Sequence, residues 1–183
     1  ASDVYKRQLQ GQLEWKIESE GYFMSVIDTL ITDRTAADIT EAKRIRDKIL
    51  EVGLSSLTSE ERSAWLGGMK ASYNYTDLNR VGEAVNFLCA ELNQMGFTVS
   101  VTGKTDWTVS DTPTPAQMQT YLKNLDVLKA VLPLTTEATP DTMRWLTIAK
   151  MNTIEKILLD LGTMVKDIQN AWFRSGEICC GEA

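Results

Sequence analysis

The sequence predicts a mainly α-helical chain: a compact bundle of about four long amphipathic helices, with a minor β element and a separate N-terminal strand-like segment. Three observations predict it. Leu78, Val81, Val85, Leu88, Leu92 and Met95 recur at alternating three- and four-residue steps, which puts them on one face of a helix. Met118, Leu122, Leu125, Leu128 and Leu132 form a second stripe, and Ile154, Ile157, Leu161, Met164 and Ile168 a third. Capping residues, glycines and prolines stand at the ends of these stripes, where they start and stop helices.

The elements follow in order. Residues 1–24 are set apart from a module at 25–183. Within them, Leu13, Trp15 and Ile17 alternate with Glu14, Lys16 and Glu18, the period of a strand, until Gly21 breaks the run. Thr35 is the cap of a first helix carrying Ala42, Ile45, Ile49 and Val52, closed by Gly53. Thr58 and Glu61 have capping-box spacing and open a short helix with Trp65 and Leu66. Thr76 is the expected cap of the Leu78–Met95 helix, and Gly96 its stop. Phe97-Thr-Val-Ser-Val101 alternates like a short strand, turned by Gly103. Thr114 caps the next helix, with Pro115 at its first position, where the missing N–H costs nothing; Pro133 closes it. Asp141–Leu146 is read as a turn of helix. The last long helix is expected over Ile148–Ala171, with Trp172 and Phe173 leaving it, and the segment beyond as a further β contribution.

Composition excludes several functions. The 183 residues, 43% of them apolar, suit a domain with an ordinary core. A net charge of −6 repels phosphate backbones, so no nucleic-acid partner is expected. Lys43, Arg44, Arg46 and Lys48 are interrupted by Asp47 and flanked by Glu41 and Glu51, the pattern of a solvated helix face. No apolar run approaches the roughly 18 residues of a membrane span. Cys89, Cys179 and Cys180 lack framework spacing, which fits a reducing compartment. Histidine is absent. Cys/His zinc sites, Ser-His-Asp triads and Cys-His dyads are therefore excluded within the chain, and no metal, cofactor or catalytic residue is expected.

Two groups remain as a candidate interaction surface. Lys104, Asp106 and Trp107 lie between the strand-like stretch and the next helix, where an amphipathic aromatic could stack on a sugar or a partner; the favoured reading is a tryptophan covering the open end of the bundle. Asn74, Asp77 and Arg80, with Asn79, gather at a helix start, where an anion or a sugar hydroxyl could sit; the favoured reading is capping plus a surface Asp77–Arg80 pair. Asp106 and Asp111 are turn residues before they are a catalytic carboxylate pair. Cys179 and Cys180 read as an incidental pair near a terminus.

A family resemblance adds to this. Leu30-Ile-Thr-Asp-Arg-Thr35, Trp65-Leu-Gly-Gly-Met-Lys70, Tyr73-Asn74, Thr76-Asp-Leu-Asn-Arg-Val81, Lys104-Thr-Asp-Trp107, Ala171-Trp172-Phe173 and Ser175-Gly-Glu177 occur in this order. Together they resemble a module of tail and baseplate structural proteins in phages and prophages of Firmicutes-type bacteria. The resemblance spans about Val26–Glu182; Cys179-Cys180 depart from its pattern. It implies a non-enzymatic, virion-associated structural or attachment role, made in the host cytoplasm and ending in the tail. The implied partners are other tail proteins or further copies of the chain, with a host-surface glycan as the alternative. Ser2–Gln8 resembles translated sequencing-adapter read-through in a metagenomic reading frame, and Met24 is a second candidate start.

Overall fold

A computed structural model of the chain describes residues 26–132 and 137–178. The strand-like Leu9–Phe23, Pro133, Cys179 and Cys180 lie outside the described residues. Among the described residues there are five long or medium α-helices: α1 (Ala36–Val52), α2 (Ser59–Gly67), α3 (Tyr75–Gln94), α4 (Pro115–Lys129) and α5 (Ile148–Ile178). The chain is mainly helical, and the described residues contain no strand.

Local chemistry accounts for the helix starts. The Asp38 carboxylate accepts from the Thr35 N–H (2.7 Å) and hydroxyl (2.8 Å). Thr58 and Glu61 exchange hydrogen bonds as a capping box, and Thr114 and Gln117 do the same with Pro115 at the first position. The α3 cap is Asn74 rather than Thr76: its side-chain oxygen accepts from the Thr76 N–H (2.8 Å), and its own N–H donates to Asp77 (2.9 Å). Asparagine is the stronger N-cap former, and from two residues upstream its side-chain oxygen reaches the first-turn N–H. α5 runs past Ala171 through Trp172 and Phe173 to Ile178, so the expected exit there is corrected. Asp141–Leu146 makes bends and turns rather than a turn of helix.

The core belongs to three long helices. α3, α4 and α5 pack against one another pairwise. Val81, Leu88, Leu92, Leu125, Leu128, Ile154, Ile157 and Leu161 are fully enclosed between them, each contributing roughly 1.5–3 kcal/mol by leaving water. α1 stands outside this arrangement, with Ile45 its only buried residue. Arg44 and Lys48 of α1 hold Glu61 of α2 at 2.8 and 2.7 Å, which ties the two into a hairpin.

The segment 97–107 runs along α3 as a strap, and its hydrogen bonds explain why it is not a strand. Three asparagines seven residues apart grip its backbone. Asn93 donates to the Val99 carbonyl (2.9 Å) and accepts from the Val99 N–H (3.1 Å). Asn86 does the same for Gly103 (2.9 and 2.7 Å), and Asn79 for Trp107 (2.9 and 2.8 Å). Each carboxamide stands in for the peptide group a neighbouring strand would supply. Seven helical residues rise about 10.5 Å, which four strap residues cover at about 2.6 Å each, short of the ~3.3 Å of a strand. Strap and helix touch at Gly82 and Gly103: a Cβ on Gly82 would lie 2.2 Å from the Lys104 carbonyl oxygen, and one on Gly103 2.4 Å from that of Gly82.

Candidate functional site

Asp77 and Arg80 pair as their i,i+3 spacing requires, but not on the surface. They belong to an enclosed charge cluster with Arg34 and Glu155, whose side chains are wholly buried. Arg34 comes from the segment before α1, Asp77 and Arg80 from the first turns of α3, and Glu155 from α5. Arg34 Nη2 meets Glu155 Oε1 at 2.5 Å and Asp77 Oδ1 at 2.8 Å. Arg80 reaches Glu155 through Nε (2.9 Å) and also pairs with Asp77. The remaining donors of Arg34 go to the carbonyls of Lys70 (2.8 Å) and Ile31 (2.6 Å).

The Glu155 carboxylate is hydrogen-bonded through both oxygens. Glu155 Oε1 accepts from both guanidiniums, and Oε2 from Arg80 and the Ile31 N–H (2.6 Å). Asn152 closes one side by exchanging hydrogen bonds with the Arg34 backbone (3.1 and 3.0 Å). Burial works against the Arg80 charge, but the hydrogen bonds that Arg80 donates to Glu155 and the fields of both carboxylates outweigh it and raise the pKa. Beneath the cluster, Tyr73 and Tyr121 share a hydroxyl contact at 2.5 Å, and burial pushes both phenols above their ordinary range. The Arg34 guanidinium also lies 5.5 Å from the Tyr73 ring centroid. With Arg34 and Glu155 wholly buried and paired, the cluster fastens Leu30–Thr35 to α3 and α5, which is a structural role. Asn74 sits beside it as the cap already described.

The second group lies on the strap. Lys104 and Asp106 are exposed and paired, while Trp107 is buried. The tryptophan therefore covers the core, in agreement with the bland reading of its sequence position and against an exposed stacking platform. The Lys104 ammonium lies 4.7 Å from its ring centroid. The indole Nε1 is buried without a hydrogen-bond partner. Asp111 accepts from the Thr108 N–H (2.6 Å) and hydroxyl (2.9 Å), bonds that lower its pKa; it is a turn residue, not one of a facing acid pair. Asn79 links the two groups, since it stands beside Arg80 in α3 and holds the Trp107 backbone.

Two exposed features differ from or go beyond the sequence reading. Val52, expected on the apolar stripe of the first helix, is exposed, as are Leu50, Leu54 and Leu66 elsewhere on the α1–α2 hairpin. Trp145 is 80% exposed, with φ at +53°. Among the described residues, no group of three or more His, Cys, Asp or Glu side chains could hold a metal ion, and no helix is long and apolar enough to cross a membrane. Comparison with protein-family profiles, curated proteins and solved structures yields no match.

Proposed function

We propose that the chain is a non-enzymatic structural or attachment module of a phage tail or baseplate, acting through contacts with neighbouring virion proteins or further copies of itself. The observation that carries this reading is the α1–α2 hairpin. Among the described residues, four of the six exposed large hydrophobic ones, Leu50, Val52, Leu54 and Leu66, fall within it. Its helices bury one core residue, Ile45, and are held together by ion pairs. Exposed apolar side chains gathered on one element mark interaction surfaces more often than singly scattered ones do. The order of the phrases between Leu30 and Glu177, which resembles tail proteins, supports the virion setting. On this reading the chain is made in the host cytoplasm and ends in the tail.

Light scattering on the whole chain, with co-expression pull-downs against tail proteins encoded beside it, tests the proposal. Oligomers or captured tail proteins that are lost in a Leu50→Asp/Leu66→Asp variant are expected. A strict monomer that captures none of them sinks it.

A further inference from the structure

We propose that Trp145 and the cleft beside it form a carbohydrate-binding site. Trp145 stands out twice. Among the described residues it is the most exposed aromatic side chain, and it alone of the non-glycine residues has a positive φ. A bulky residue in that region is a rare conformation that the surroundings must impose. Here they do so. Met143 and Leu146 pack toward the core on either side, so the chain between them turns outward. The turn is braced by the Arg144 N–H on the Thr142 hydroxyl (3.0 Å) and by Lys150 on Asp141 (3.0 Å).

Arg144, the residue before Trp145, lines a cleft of about 530 Å³ between the start of α4 and residues 141–144, within the size range of small-ligand sites. Pro115, Met118 and Met143 give it apolar walls; Gln119, Asp141 and Arg144 give it polar ones. Arg144 joins the two parts, since it lines the cleft and its guanidinium lies 5.6 Å from the Trp145 ring centroid. A sugar matches this mixture: its C–H face stacks on an aromatic ring, and its hydroxyls both donate and accept. An apolar partner surface matches it less well, because it offers Gln119, Asp141 and Arg144 no hydrogen bonds. The site lies apart from the α1–α2 hairpin in sequence and does not rest on the tail reading.

The test is titration of the whole chain with maltotriose, cellotriose and chitotriose, followed through the tryptophan indole N–H signals in ¹H–¹⁵N spectra. The Trp145 signal is assigned by its loss in Trp145→Phe. At least one trisaccharide is expected to shift it saturably, with affinity falling roughly tenfold in Trp145→Ala and less in Trp145→Phe. Circular dichroism should show both variants folded, as expected for an exposed position. The proposal is overturned if none of the three sugars moves that signal at about 10 mM, or if Trp145→Ala binds as tightly as the parent. It is also overturned if the signal shifts with protein concentration alone, which would make Trp145 a protein contact. Loss of binding in Trp145→Ala with tail-protein capture intact would separate this site from the hairpin.

Discussion

The guanidinium of Arg34 and the carboxylate of Glu155 meet at 2.5 Å with neither side chain exposed, although 121 residues separate them. Their pairing joins the segment ahead of α1 to the second turn of α5. Removing one member of such a pair leaves an uncompensated buried charge. Glu155→Gln should lower stability by about 3–5 kcal/mol, read from urea denaturation. Pairing Arg34→Met with Glu155→Leu should recover a good part of that loss, because an apolar pair of similar volume leaves no charge stranded at this contact. A double variant as unstable as the sum of the single ones would contradict the coupling.

Gly82 should resist substitution even though alanine is the better helix former. The gain in helix propensity is about 1 kcal/mol. The Cβ would sit 2.2 Å from the Lys104 carbonyl oxygen, and backbone gives way less readily than a side chain. Overpacking of about 1–3 kcal/mol or more should therefore win, and Gly82→Ala should melt below the parent. Gly103→Ala should do likewise, from the other side of the same contact.

Asn86→Asp keeps the shape of the clamp on Gly103 but removes its donor and sets a carboxylate against a carbonyl oxygen. Stability should fall by about 1–3 kcal/mol. Hydrogen exchange gives the sharper reading: the Gly103 amide, which now donates to Asn86 at 2.7 Å, should keep a partner, while neighbouring strap amides exchange faster. Asn86→Ala should release the Gly103 amide as well. Unchanged exchange in both variants would mean that the strap does not depend on the asparagine.

Trp107 should tolerate phenylalanine better than its size suggests. Its indole N–H is buried without an acceptor, so losing that group removes an unmet desolvation cost. Trp107→Phe should cost no more than about 1.5 kcal/mol, against roughly 3–5 kcal/mol for Trp107→Ala. Thermal melts of the two variants make the comparison.

Acid should loosen the α1–α2 hairpin first. Hydrogen bonds from Lys48, from the Thr58 backbone and from Arg44 hold the Glu61 pKa down to about 2, from an ordinary 4.5. A depressed carboxylate contributes stability that is fully present above its unfolded pKa and lost as pH falls through its folded one. The contribution should therefore fade between about pH 4.5 and pH 2. An NMR titration of the Glu61 carboxyl carbon checks the pKa. A Glu61→Gln variant whose helicity falls with acid as the parent's does would show that another group is responsible.

How much of this was legible depended on sequence distance. The capping boxes at Thr58 and Thr114 span three residues, and the stripes of α3, α4 and α5 repeat within a turn; both were readable. So was the Asp77–Arg80 pair, but not its burial, because Arg34 and Glu155 are brought to it from 43 and 78 residues away from Asp77. Phe97–Val101 was misread for a related reason. Alternation reports an extended backbone with one face buried, and says nothing of what binds its peptide groups; here Asn93 does. The seven-residue spacing of Asn79, Asn86 and Asn93 was the available signal for that arrangement. Trp107 reads as covering the bundle because large aromatics are usually buried; the same reasoning applied to Trp145 would miss its exposure.

The asparagine clamps also bear on how this chain can change length. Helix and strap are indexed against each other, seven residues to four, at three points. One residue inserted between Val99 and Trp107 would offset at least one clamp and move the Gly82–Gly103 contact out of place. One inserted within α3 would rotate the asparagines beyond it by about 100°. Lengthening without loss would need both partners to grow in the same ratio, so the stretch from Asn79 to Trp107 behaves as a unit of fixed size. Insertions should be accepted outside it, and engineered tags or loops belong there.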